Sequence, residues 1–176
     1  MHIVEASEAD LEAVLAVSRA AFGGEDVPAL VRDLLGDPSA HPLLSLIARD
    51  GGRIIGHALF TAARVGTEEA PGSGVILAPL AVVPDAQGRG AGTLLLETGL
   101  RLLGVCGIRL VFLAGYPDYY TSHGFEPAYP HGFTPPFPVA PAEAWMVHSV
   151  QPDALGNTGG AVICANSLDK AEHWRE

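Results

Sequence analysis

The sequence predicts an α/β domain of the α+β kind, built on a mixed sheet, and three observations carry that reading. Two β-rich runs, residues 43–48 and 53–65, flank an Asp50-Gly51-Gly52 turn, the pattern of an antiparallel hairpin. An almost wholly apolar run at 75–83, a glycine-rich turn, a leucine-rich helix and a second apolar run at 109–115 make a crossover unit whose two strands run parallel. Helical spacing within residues 11–35 supplies helices to cover the sheet.

Residues 2–6 read as the first strand. Ser7-Glu-Ala-Asp10 is a Ser-x-x-acid helix start ahead of Leu11, Val14, Leu15, Val17 and Ser18, and Gly23-Gly24 ends that helix. Residues 27–35, with Pro28 in the first turn and Gly36 behind, form a second short helix. After the hairpin, the run 75–83 lacks polar residues, which predicts burial on both faces. Pro79 inside it cannot donate to a ladder, which predicts a bulge or an unpaired position. Residues 84–92 are a loop, and 93–105 a helix carrying Leu94, Leu95, Leu96, Leu100, Leu102 and Leu103. Beyond the strand at 109–115, residues 118–123 read as a short helix stopped by Gly124. Runs 125–129 and 144–150 close the sheet across a proline-rich loop. Past Pro152 the signal weakens: 161–165 reads as an edge strand and the last residues as a frayed helix.

A chain of 176 residues predicts one domain, able to bury roughly 70% of its unfolded surface. With 48% hydrophobic and 17% charged residues the composition is globular rather than disordered. A formal charge of −10 argues against a general nucleic-acid binder, which needs a basic face. No apolar run reaches the ~18 residues of a membrane span, and MHIVEASEAD lacks signal-peptide character, so a cytoplasmic protein without a membrane partner is expected. Cys106 and Cys164 have no partner spacing, so neither a disulfide framework nor a metal site is indicated; Cys106, late in an apolar helix, reads as a core thiol.

The charge is unevenly spread. Residues 1–37 sum to −6 and 111–176 to −5, whereas 51–110 hold Arg53, Arg64, Arg89, Arg101 and Arg109 against four acids, a net +1. An anion meets its least hostile surface in that middle stretch.

The middle stretch also holds Gln87-Gly88-Arg89-Gly90-Ala91-Gly92-Thr93, which joins a buried strand to a helix. Backbone N–H groups converge at such a helix start with few side chains in the way, a geometry that suits phosphate groups. The loop is not a P-loop, because no Gly-x-x-x-x-Gly-Lys-[Ser/Thr] is present. Thr93 at the third glycine position also breaks the dinucleotide fingerprint.

The stretch from Leu80 through Gln87 to Thr93 resembles the acyl-coenzyme A signature of the GNAT (Gcn5-related N-acetyltransferase) superfamily, Gln/Arg-x-x-Gly-x-Gly/Ala, here Gln87, Gly90 and Gly92 with Ala91 beside it. Tyr120-Thr-Ser-His-Gly124-Phe125-Glu126 resembles the superfamily's later Tyr-x-x-x-Gly-Phe-Glu element. A Gly-x-Pro-x-Tyr-Tyr run at 115–120 and a Pro-Phe-Pro loop at 136–138 make the resemblance closest to YhbS-type bacterial acetyltransferases. It covers residues 1 to about 152, read as a single N-acetyltransferase domain 1–152, with 153–176 as a C-terminal extension, an edge strand or a flexible tail.

The resemblance implies a mostly antiparallel central sheet, splayed at the cofactor site and flanked by helices, and acetyl-CoA as co-substrate with no metal. The backbone of Leu80, Ala81 and Val82 would pair with the pantetheine arm like an added strand. Gln87, the N–H groups of Gly88, Arg89, Gly90, Ala91, Gly92 and Thr93, and the Arg89 side chain would hold the pyrophosphate. An amine acceptor would attack the thioester directly, the N–H on the Val82 side would stabilise the oxyanion, and Tyr120 would protonate the departing thiolate. Tyr119 reads as packing or acceptor lining.

The general base is open. The glutamate of histone-acetylating relatives falls at Ile76 here, leaving His57, Glu68, Glu69 or a water. His123 and His131 lack metal-ligand spacing and read as surface or pocket lining. Glu25, Asp26, Asp33 and Asp37 could attract a cationic amine, and Phe133 and Phe137 could wall its pocket. The expected partner is an amine, small or on a protein, with a homodimer compatible. The competing function is a non-catalytic acyl-CoA binding or sensing module of the same fold.

Overall fold

The computed structural model describes residues 1–66, 73–156 and 159–175. Strand β1 (His2–Glu5) leads through a 3-10 turn into helices α1 (Leu11–Phe22) and α2 (Asp26–Leu35). Strands β2 (Leu44–Asp50), β3 (Arg53–Val65) and β4 (Gly74–Val82) precede helix α3 (Ala91–Val105), strand β5 (Leu110–Ala114) and helix α4 (Pro117–Thr121). Four strands remain: β6 (Glu126–Pro127), β7 (Phe133–Thr134), β8 (Trp145–Ser149) and β9 (Gly160–Cys164). The closing strand expected over 125–129 shrinks to its two ladder residues, because a 3-10 turn over Tyr129–His131 follows at once.

The sheet runs β1-β2-β3-β4-β5-β8-β6, antiparallel throughout except for the parallel β4–β5 pair. Side chains alternate between its faces with the period of two that strands impose. Ile47, Leu59, Ile76 and Phe112 join Leu15, Val31 and Leu34 of α1 and α2 in one core. Leu46, Ala58, Val75 and Val111 join Leu95, Leu96 and Leu103 of α3 in the other. The strands predicted as doubly buried are therefore buried by helices on both sides.

Two irregularities shape β4. The register passes from Ala58 opposite Leu80 to Phe60 opposite Leu77, so Leu59 faces both Ala78 and Pro79. That is the bulge Pro79 predicted, with the residue that lacks an N–H placed where the ladder is interrupted. On its other side β4 pairs with β5 only over Gly74–Ile76 and 110–112. Beyond Ile76 the parallel strands diverge, while β5 stays fully paired to β8 as far as Ala114.

The segment after residue 152 folds into the body. Strand β9 pairs with Ala63, Arg64 and Val65 of β3, beyond the reach of β2, and also with β7. Ala154, Val162, Cys164 and Leu168 are buried in the core under α2. The Asp37 carboxylate accepts from the N–H groups of Ser39 (2.8 Å) and Ser167 (2.9 Å), which ties the tail to the end of α2. The expected frayed helix is a 3-10 stretch over Ala171–Trp174, fixed by the Trp174 indole N–H donating to the Leu168 carbonyl at 2.9 Å.

Candidate active site

The divergence of β4 and β5 leaves a sheet edge inside the molecule. Val83 N–H donates to the Ile55 carbonyl (2.9 Å), and the antiparallel alternation then turns Ala81 toward β3 and the N–H and C=O groups of Leu80 and Val82 toward the gap. The Gln87 side chain confirms this direction, donating from Nε2 to the Val82 carbonyl at 3.0 Å. Gln87 thus sits against the strand edge rather than on the glycine turn.

At the end of β4 a 3-10 turn (Pro84–Ala86) leads to Gly88 and Gly90, with φ of 77° and 89°. Gly90 is the residue before α3, and the helix's first backbone bond runs from Leu94 N–H to the Gly90 carbonyl (3.0 Å). The N–H groups of Ala91, Gly92 and Thr93 precede it and form the donor-rich, positive end of the helix dipole. Arg89 lies beside this end, paired with Asp50 at 3.1 Å, and both side chains are about half exposed. Such an exposed pair is worth at most about 1 kcal/mol, so a phosphate can draw the guanidinium away.

The two tyrosines of α4 diverge. The Tyr119 hydroxyl shares a hydrogen bond with Thr93 Oγ1 (3.0 Å), joining α4 to the first turn of α3. The Tyr120 ring lies edge-on to Tyr119 and Phe125 and rests on Gly115, where an added Cβ would stand 2.5 Å from it. Burial, and then the neighbouring Tyr119 phenol, push the Tyr120 hydroxyl up to about 12. The proton therefore stays on this phenol throughout the neutral range, as a donor requires.

Known proteins match both the sequence and the fold of this chain. Residues 2–128 match the family described as an acetyltransferase (GNAT) domain. The chain belongs to the GNAT acetyltransferase family. It is 41% identical over 169 residues to the uncharacterized N-acetyltransferase YjhQ of Escherichia coli K12, covering 94% of this chain and 91% of that protein. The structure of the E. coli GNAT family N-acetyltransferase YhbS in complex with CoA superposes with a TM-score of 0.87 at 29% identity, over 96% of this chain and 92% of the other. A Brucella melitensis GNAT acetyltransferase in complex with acetyl-CoA gives 0.76 at 26% identity, over 96% and 97%. The GNAT fold expected from the two sequence motifs is thus the fold observed, including its mixed, splayed sheet.

Within this GNAT domain several expected roles are reassigned. His57 is fully buried; its Nε2 lies 2.9 Å from Ser45 Oγ, and desolvation lowers its pKa to about 4, which makes it a poor base. Glu68 and Glu69 lie outside the described residues. Asp37 is spent on the tail, and Glu25 pairs with Arg19, so within the acidic flank only the carboxylates of Asp26 and Asp33 have no hydrogen bond or ion pair among the described residues. Phe133 is core, edge-on to Phe112 at 5.2 Å, with its carbonyl accepting from Trp145 Nε1. Cys106 is exposed rather than core, because it caps α3 after the buried Leu103. His123 packs at a tilt against Tyr119 and His131 meets Glu126, and no metal-holding cluster occurs among the described residues.

Sequence reasoning missed two features. The Tyr119–Thr93 bond was signalled only by a hydroxyl at position 93. Trp174 packs on Trp145 at a ring distance of 5.9 Å and brings Arg175 beside the end of β5.

Proposed function

We propose that this GNAT protein transfers the acetyl group of acetyl-CoA to a primary amine by direct attack, with Tyr120 as the general acid. The observation that carries the reading is the β4 edge beyond Ile76, with the Leu80 and Val82 backbone groups turned into the gap. The donor's amide arm fits this edge as an added strand, and its phosphates fit the N–H groups of residues 88–93 with Arg89 alongside. The complexes of YhbS with CoA and of the Brucella relative with acetyl-CoA support that choice.

The amine lone pair attacks the thioester carbonyl, the C–S bond breaks, and the thiolate takes the Tyr120 proton. Val82 N–H, or a backbone N–H beside it, stabilises the charge that builds on the carbonyl oxygen. Ile76 supplies no carboxylate and the desolvated His57 is a poor imidazole base, which leaves Glu68, Glu69 or a water to take the amine's surplus proton. Two unpaired thiols, Cys106 and Cys164, fit a reducing cytoplasmic setting.

Calorimetric titration with acetyl-CoA, followed by thiol release over an amine panel, tests the reading. Turnover is expected, with Tyr120→Phe lowering kcat by roughly 10²–10⁴-fold at little cost in acetyl-CoA affinity. Binding without turnover, and no rate effect of Tyr120→Phe, would leave an acyl-CoA sensing module instead.

A further inference from the structure

A cavity of about 600 Å³ opens at the end of β5, on the face of the sheet opposite α3. Gly115 and Tyr116 begin its wall, Pro141 and its neighbours continue it, and His173, Trp174 and Arg175 close it. Its volume is that of a small-molecule site. Gly115 is also the residue on which the Tyr120 ring rests, so the cavity shares one wall residue with the seat of the proposed proton donor.

The charge of the wall is unexpected in a protein of net −10. No acid lines the cavity among the described residues, whereas Arg175 and His173 do. Glu172 stands 3.8 Å from His173 Nε2, and Asp118 and Glu143 are only chain neighbours of lining residues. Arg175 forms no ion pair with a described carboxylate. It follows Trp174, whose ring and N–H are both anchored. An exposed guanidinium, next in the chain to the anchored Trp174 and beside an apolar wall of Tyr116, Trp174 and proline, suits an anion attached to an apolar body.

We propose that this cavity is the acceptor pocket and that Arg175, delivered by the C-terminal tail, selects amines that also carry an anionic group, a carboxylate or a phosphate. The proposal rests on the acetyl-transfer reading above. It reverses the expectation that Glu25, Asp26, Asp33 and Asp37, on and beside α2, draw in a cationic amine.

Matched probes decide it: phenylalanine against phenylalaninamide for the carboxylate, and phosphoethanolamine against ethanolamine for the phosphate. Each is titrated calorimetrically into CoA-loaded protein and then assayed for thiol release with acetyl-CoA. At least one anionic member is expected to bind about tenfold or more tightly than its partner, and to turn over with a correspondingly higher kcat/KM. Arg175→Gln should bring that ratio close to one, and Arg175→Lys should restore part of it, with the melting midpoint reporting that both variants fold. Equal or better use of the uncharged members, or a ratio that survives Arg175→Gln, overturns the proposal while leaving acetyl transfer intact. Anion-selective binding without thiol release from any amine keeps the pocket and sinks the transfer reading.

Discussion

On the α3 side of the gap, residues 80–93 supply the lining in one continuous stretch, largely through backbone groups. On the other side, the cavity draws on residues 114–117, 138–141, 144 and 173–175, and it depends on contacts such as Asp37 with Ser167, 130 positions apart. The first side needs only a bulged strand, a turn and a helix start to be correct. The second needs the whole tail to dock. Backbone donors on a local turn suit an invariant ligand, whereas side chains gathered from distant segments can be exchanged one at a time to change specificity.

If the second side is a shared core, damage there should be the most costly. Trp145 is fully buried, stacked on Phe112 at 5.4 Å, edge-on to Trp174, and bonded through Nε1 to the Phe133 carbonyl at 3.1 Å. Trp145→Ala should lower stability by about 3–5 kcal/mol in urea denaturation. A loss below about 1 kcal/mol would mean that the tail and β8 do not form one cooperative unit.

Asp37 sharpens the comparison at intermediate cost. Asp37→Ala should remove about 1–2 kcal/mol, as the loss of a capping carboxylate does. Its pKa is held at about 2 rather than 3.8, first by the Ser39 hydroxyl and then by the Ser167 N–H and hydroxyl, against the opposing effect of burial. A depressed carboxylate stabilises the fold fully above its unfolded pKa near 4, and this contribution is lost as pH falls toward 2. Denaturation midpoints between pH 5 and 2 should therefore fall more steeply for the natural chain than for Asp37→Asn. Parallel curves would show that the tail clasp is electrostatically idle.

The same contrast explains what could be read from the sequence. The glycine turn, the bulge at Pro79 and the Tyr120–Gly124 spacing are written in neighbouring residues, and all three appear in the structure. The hairpin and the parallel crossover were legible because period and turn chemistry are local. Asp37, Phe133 and Arg175 were misread or missed because their partners lie far along the chain, and nothing beside them announces the contact. Cys106 shows a smaller failure: apolar neighbours on a helix do not say which way its last residue points. Tyr119 reads as packing or acceptor lining from the sequence, and the destination of its hydroxyl could not be read there because it depends on α3 lying beside α4.

The smallest expected effect bears on the local side. Gly90 takes φ of 89°, and a Cβ placed there would meet nothing within 4 Å, so Gly90→Ala costs only the left-handed backbone itself, about 1 kcal/mol. A helix start that relaxes from this conformation shifts the N–H groups of Ala91, Gly92 and Thr93, so acetyl-CoA affinity should fall several-fold in calorimetry. Because the cavity at β5 shares no residue with this turn, discrimination between anionic and uncharged amines should persist in Gly90→Ala. A variant that lost cofactor affinity and acceptor discrimination together would show that the two sides are coupled through the α3–α4 contact at Thr93 and Tyr119, and the division of labour drawn here would fail.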